Sequence, residues 1–466
     1  MSVSIAVGAL AFLMAAAYRG YSVILVAPIA ALGAVFLIDP SSVAPAFSGI
    51  FMEKMVVFIK LYFPVFLLGA VFGKVIELSG FSESIVAAAV RHIGRSRANA
   101  VIVAACALLT YGGVSVFVVV FAVYPFAAEL YRQSDIPKRL MPGALALGSF
   151  SFTMDALPGT PQIQNIIPTT FFKTTSWAAP VLGTAGSLFV VTVGLMFLEW
   201  RRRTATKTGE GYGNSNLNEP DRVDTQDLPH PLIAITPLAL VGVANFLLTE
   251  LIPKWYGKSY TVAPDVLPGV HSPVVGSTAS VAAIWAVEGA LLAGIAFVVA
   301  AAFNRVRQRF AAGTRAAVSG ALLASLNTAS EYGFGSVIAA LPGFLLIGHA
   351  LTQIPNPLVN AAVSVSTLAG ITGSASGGLS IALATMSDQL VKAAEAAHIP
   401  LGVLHRVVAM ASGGMDTLPH NGAVITLLAV TGLSHKESYR EIFGITLIKT
   451  LAVFFVIALY YLTGVV

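Results

Sequence analysis

Apolar runs of membrane-crossing length alternate with short polar or glycine-rich joints along the whole chain. The runs at 3–18, 22–38, 55–78, 177–200, 231–251, 279–303, 316–341 and 441–464 read as membrane helices, and those at 140–172 and 401–433 as interrupted ones. No basic residue precedes the apolar run 3–18, so it reads as a membrane helix rather than a secretion signal. Two further stretches, 98–131 and 357–395, are broken midway by TYGG (Thr110 to Gly113) and ITGSASGG (Ile371 to Gly378). The arm 98–109 would measure about 18 Å at about 1.5 Å per residue, against about 30 Å of hydrocarbon, so it can only dip into the bilayer. Both stretches are therefore expected to be re-entrant helical hairpins whose tips meet near the midplane, where broken backbone needs protein or water around it.

The pattern occurs twice. FGKVIELSGF at Phe72 recurs as FGSVIAALPGF at Phe334, GGVS at Gly112 as GGLS at Gly377, IP at Ile136 as IP at Ile399, and MDALP at Met154 as MDTLP at Met415. The offsets are 262, 265, 263 and 261, in the same order, which points to an internal duplication. The polar, turn-rich stretch 201–230 separates the copies as a linker, leaving a first repeat at 1–200 and a second at 231–466. Basic residues orient them. Arg91, Arg95, Arg97, Arg132, Lys138 and Arg139 put the open end of the first hairpin on the cytoplasmic side, and threading onward opens the second hairpin outside. The expected fold is thus an all-α polytopic membrane protein of two inverted repeats, with both termini outside, the linker inside, and a site between discontinuous helices.

Composition agrees with the pattern. The chain is 56% hydrophobic and 11% charged, with a mean hydropathy of +0.82, which excludes a water-soluble globule. The net charge of +5 comes in short clusters between apolar runs, not in a basic stripe with aromatics, so no nucleic-acid partner is expected. The single Cys106 leaves no internal disulfide and no cysteine-based metal site, and neither a metal nor a cofactor is expected.

The candidate chemistry lies in four breaks: TYGGVS, TMDALPGTPQIQ, ITGSASGGLS and SGGMDTLPHNG. Half-helices are expected to start at Val114 and Leu379, after Thr160 as an N-cap with Pro161 at the first helical position, and after Asn421 as an N-cap. Free N–H groups at such starts attract anions. No Lys or Arg lies in the breaks, so a bound anion would be met by backbone N–H groups and by Thr110, Tyr111, Gly112, Gly113, Ser115, Thr160, Gln162, Thr372, Ser374, Ser376, Gly377, Ser380, His420 and Asn421. That set suits one carboxylate with hydroxyls. Any one of the hydroxyls could instead bond back to its own helix. Gly73 and Gly335 read as helix-packing residues, and Lys60, Lys74, Lys449, His405 and Arg406 as side chains snorkelling from helix ends. Asp155 and Asp416 occupy equivalent positions in the two MD-x-LP breaks and are candidates for proton coupling, the alternative being that they cap nearby backbone; Glu331 is the third candidate.

At HRVVAMASGGMDTLPHNG (His405 to Gly422) and TMDALPGTPQIQN (Thr153 to Asn165) the chain resembles the gluconate:proton symporter (GntP) family of the larger ion-transporter superfamily, the second motif favouring its hydroxybutyrate-permease branch. The resemblance implies a homodimer in the inner membrane. In it a scaffold domain holds an elevator-like transport domain built from the hairpins and broken helices. It also implies symport of protons with a small hydroxylated monocarboxylate such as 3-hydroxybutyrate or gluconate. Sodium-coupled dicarboxylate members carry Ser-Asn-Thr at the hairpin tips; the tips here read TYGG and TGSASGG, which disfavours a sodium-coupled di- or tricarboxylate carrier. A channel would need a continuous polar pore. An intramembrane hydrolase finds no HExxH, and a G-x-S-G motif fails because Ser374 stands at its first position, so no enzyme is expected.

Overall fold

Long apolar helices form where a strong start signal meets an uninterrupted run. Pro180–Lys207 and Pro231–Tyr256 each open on a proline at the first helical position, where its missing N–H costs nothing. His435–Thr463 opens on a capping box formed by Ser434 and Glu437 and closes at Gly464. The computed structural model describes residues 2–19, 21–93, 97–114, 116–213, 218–219, 228–263, 265, 272–343, 354–419 and 421–466. Among them five helical stretches are long and apolar enough to cross a membrane: Pro40–Leu78, Pro180–Lys207, Pro231–Tyr256, Ala282–Ala301 and His435–Thr463. Ser2–Tyr18 and Val23–Phe36 are shorter, and the 38-residue helix Phe303–Ala340 begins with turns bearing Arg305, Arg307, Arg309 and Arg315.

The expected interruptions are present. Ala98–Tyr111 and Val116–Gln133 form one helical hairpin, and Pro357–Thr372 and Ala375–Ala396 the other. One broken helix consists of Met141–Ser149 and Ile163–Phe172, with the short turn Phe152–Asp155 between, and the other of Leu401–Ser412 and Gly422–Thr431. Packing between the halves is reciprocal. Glu53–Leu78 and Phe303–Ala340, which carry the two FG motifs, pack on each other, as do Pro180–Lys207 and His435–Thr463. Ile163–Phe172 packs on the second arm of the second hairpin, and Gly422–Thr431 on the second arm of the first. Gly335 is a packing residue: a Cβ there would lie 3.0 Å from the Ile381 backbone.

Two expectations are corrected. The fold is not purely helical, because Ser259–Val262 pairs antiparallel with Val274–Ser277, with Tyr260 opposite Gly276. These two segments are short and rich in Val, Thr and Tyr, which suit an exposed ribbon and leave no apolar run for a helix. The stretch 201–230 is not all linker, since the helix continues to Lys207 and buries Arg201, whose guanidinium reaches Glu441 at 2.6 Å. Part of the remainder is docked. Tyr212 N–H donates to Asp135 at 3.0 Å, Glu219 meets Arg132 at 2.6 Å and Lys138 at 2.7 Å, and the Asn218 amide donates to Ala429 O at 2.6 Å. Nearby, the Arg139 guanidinium bonded to Glu210 holds that carboxyl below its ordinary range. This contact is therefore fully present at neutral pH and is lost as pH falls through the lowered value.

Candidate functional site

At the first hairpin tip the helix ends in Gly112 and Gly113, and Gly113 takes φ +98, a backbone region that side chains avoid. Gln162 ties the tip to the break in the first broken helix, its Nε2 donating to Thr110 O at 2.7 Å and Val114 O at 3.2 Å. Tyr111 adds a second tie from its hydroxyl to Pro158 O at 2.9 Å. Leu238 covers Gly112, and Leu291 and Pro161 cover Gly113, so the tip is sealed by apolar groups. Among the described residues the buried Thr110 hydroxyl has no partner. Thr160 is not the helix cap: its hydroxyl donates to Thr153 O at 2.8 Å, and the helix begins only at Ile163, after Gln162. The carbonyl exposed where the preceding turn ends has claimed the hydroxyl instead.

The second tip is built along the same lines. Pro357–Thr372 ends at Gly373, φ +64, and Ser374 caps the next helix by accepting from Gly377 N–H at 3.1 Å. That helix starts at Ala375, one turn before the expected Leu379, because Ser374 supplies the cap. On the first hairpin the second arm likewise starts at Val116, not Val114, whose N–H is still engaged by Leu109 O at 3.0 Å. Asn421 is an N-cap as expected, accepting from Val424 N–H at 2.9 Å, and its Nδ2 donates to Gly373 O at 2.7 Å. Each tip is thus held to the break in its own half of the chain by a side-chain amide. Ser376 stands 3.4 Å from Thr328 and 3.5 Å from Ser374, hydroxyl to hydroxyl. The Ser380 hydroxyl bonds back to Ser376 O at 2.6 Å and is spent within its own helix. Ser115, His420 and the Thr372 side chain lie outside the described residues.

The two breaks face each other. Asp155 presses on Gly413, where a Cβ would collide with its Oδ2, and that buried oxygen has no hydrogen-bond partner among the described residues. Asp416 is paired with Lys449 at 2.5 Å, and the same ammonium donates to Phe150 O at 2.9 Å, linking the break of one broken helix to the end of the other. Glu331 is 5% exposed, and its Oε2 has no partner among the described residues.

Three readings of basic and imidazole side chains are therefore corrected. Lys449 is 3% exposed and Arg406 and His405 are fully buried, so none snorkels. Arg406 donates to Ala178 O at 2.8 and 3.2 Å, Asp155 O at 3.0 Å and Asn165 Oδ1 at 3.1 Å. His405 lies 2.6 Å from the Thr174 hydroxyl and 3.2 Å from Asn165 Oδ1. Asn165 in turn donates to Thr160 O at 2.9 Å and Ser176 O at 2.8 Å, and Asn245 donates to Gly159 O at 2.9 Å. This polar clamp sets the shape of the first break. Its one sequence signal is a lone charge or amide inside an otherwise apolar segment. Lys60 is exposed, as expected for a snorkelling side chain, and Lys74 pairs with Glu77 at 2.6 Å.

No protein-family model matches the chain. The uncharacterized transporter YxjC of Bacillus subtilis (strain 168) is 55% identical to it over 467 residues, covering 98% of each chain. Among solved structures, the Alcanivorax borkumensis YdaH transporter, described as having an unusual topology, is similar with a TM-score of 0.51 at 14% identity. The match covers 92% of this chain and 90% of that one, a likeness of fold.

Proposed function

The chain belongs to the transporter family that includes YxjC, and from that premise we propose that it is a proton-coupled symporter of a small hydroxylated monocarboxylate. The substrate would resemble 3-hydroxybutyrate or gluconate, and the carrier would be an inner-membrane homodimer of the GntP type. In this reading the two halves are inverted repeats, and the hairpins and broken helices move as an elevator against the remaining helices. The observation that carries it is the paired arrangement of hairpin tips and helix breaks, each tip tied to its own break by Gln162 or Asn421. Such ties can be exchanged for a ligand's oxygens without unfolding either helix. Arg406 and Lys449 do reach the breaks, but formally they balance Asp155 and Asp416, so a bound carboxylate still depends on the helix starts and hydroxyls.

Thr110→Val tests the site directly. Among the described residues its hydroxyl has no partner, so removing it should not lower the unfolding temperature. If that hydroxyl bonds the substrate, KM should rise by a factor of about 5 to 10, the worth of roughly 1 kcal/mol for one hydrogen bond. A thermal-shift screen of the purified protein against short hydroxy acids, sugar acids, and di- and tricarboxylates identifies the ligand, because a compound that binds the folded state stabilises it. Stabilisation by citrate alone would remove the monocarboxylate reading.

Orientation has its own test. Pro231–Tyr256 would be about 39 Å long at about 1.5 Å per residue, enough to separate the linker from the ribbon across the bilayer. Because Cys106 is buried, single cysteines can be placed in the native background. In intact cells Val275→Cys on the ribbon should react with an impermeant thiol reagent, and Lys207→Cys should react only after permeabilisation. The opposite pattern would reverse the topology.

A further inference from the structure

We propose that Glu331 is the group that takes up and releases the coupled proton, with the first turn of Ala375–Ala396 as the cover that alternates its access to water. The proposal rests on the symport reading above and selects among its three acidic candidates.

Glu331 stands on Phe303–Ala340, which packs on Glu53–Leu78, while its carboxylate faces the second hairpin. A Cβ on Gly377 would collide with Oε2, so the hairpin approaches so closely only because residue 377 has no side chain. The neighbouring groups are hydroxyls: Thr328 one turn earlier on the same helix, Ser376 3.4 Å from it, and Ser374 beyond. A protonated carboxyl can donate to such oxygens, whereas a buried carboxylate without a partner is costly.

Charged groups are kept away from it. Among the described residues Glu331 enters no ion pair, and its helix faces Met55 and Phe58 of Glu53–Leu78 through Ser330 and Tyr332. On that neighbouring helix Glu53, Lys54 and Lys60 are exposed, Lys74 is paired with Glu77, and Tyr62 bonds Thr170. On Ala375–Ala396 the first ionisable residue is Asp388, about 16 Å along the helix from Gly377 at about 1.5 Å per residue. Val23–Phe36 carries no ionisable residue, and Glu288 on Ala282–Ala301 is not bonded to it.

The other two acids are placed differently. Asp416 has its charge matched by Lys449, and Asp155 is wedged against Gly413 between two broken helices that Arg406 binds together. Glu331 lies where a hairpin tip meets a long continuous helix. Lifting that tip would break the Asn421–Gly373 tie and wet the carboxyl, while the cap that Asn421 gives Gly422–Thr431 stays in place. A hydronium on the open side then gives up one proton to form the carboxyl O–H, and water on the other side receives it; no electrons are transferred.

Proteoliposomes carrying purified wild type, Glu331→Gln, Glu331→Asp and Gly377→Ala would be compared in two assays with 3-hydroxybutyrate and gluconate. The first is counterflow at equal pH, and the second is accumulation under an acid-outside gradient, with an internal pH dye. One coupled proton supports about tenfold accumulation per pH unit. The wild type should show it together with substrate-dependent internal acidification. Glu331→Gln should still exchange, at a reduced rate, but its accumulation ratio should fall to about one. Glu331→Asp should keep accumulation with a displaced pH profile, and Gly377→Ala, whose Cβ displaces the carboxylate at a tip expected to meet substrate, should lose accumulation whatever its exchange rate. Gradient-driven accumulation by Glu331→Gln would overturn the proposal while leaving the carrier intact, as would wild-type accumulation driven by sodium at equal pH. Absence of counterflow in the wild type would remove the symport reading, and this proposal with it.

Discussion

Lys449→Met should destabilise the protein by about 3 to 5 kcal/mol, the usual cost of stranding one member of a buried ion pair. The substitution leaves Asp416, 4% exposed, without its 2.5 Å partner, and frees the Phe150 carbonyl that the same ammonium holds at 2.9 Å. Removing both charges together, as Lys449→Met with Asp416→Leu, should recover most of the loss, because well-packed apolar groups often replace a buried pair at little cost. Denaturant unfolding in detergent of the two single variants and the double variant gives the coupling energy. If the losses simply added, the ion pair would not be the link between the broken helices.

Arg406→Leu should be about as damaging, for a different reason. The guanidinium has no carboxylate at ion-pair distance among the described residues, and it serves three acceptors: Ala178 O, Asp155 O and Asn165 Oδ1. Each buried acceptor left without a donor costs about 1 to 3 kcal/mol, so a total near 3 to 5 kcal/mol is expected after relaxation. Arg406→Lys should restore only part, because one ammonium cannot reproduce a fork that spans the end of the first break and the start of Pro180–Lys207. Transport should fall in step with stability. Full stability in Arg406→Lys would show that a point charge suffices and that the clamp geometry is unimportant.

The hairpins and breaks are legible because glycine, proline and capping residues punctuate apolar runs, and motifs recurring at nearly constant offsets give each signal twice. Asn421 as a cap and Glu331 as an isolated acid could be singled out from local pattern alone. Thr160 and Leu379 were misplaced as helix starts because one hydroxyl can satisfy several backbone groups. Which one it meets depends on where the preceding turn ends, as Thr160 on Thr153 O and Ser374 on Gly377 N–H illustrate. Arg406, His405 and Lys449 escape a reading from sequence for a more general reason. A lone charge in an apolar run looks the same whether its helix faces headgroups or the protein interior, and the acceptors that decide it, Ala178 O and Phe150 O, are 228 and 299 residues away in sequence. The ribbon at Ser259–Val262 is not legible in the sequence because eight paired residues with no buried face leave almost no alternation to read.

The central claim is that the paired tips and breaks enclose one site that opens to each side of the membrane in turn. Counterflow in sealed proteoliposomes tests it most directly, with unlabelled 3-hydroxybutyrate or gluconate inside, a trace of the labelled acid outside, and no ion gradient. A carrier should show a transient, saturable overshoot of label that disappears when the internal substrate is omitted. Label that only equilibrates, at a rate proportional to concentration and indifferent to internal substrate, would contradict alternating access and indicate a pore.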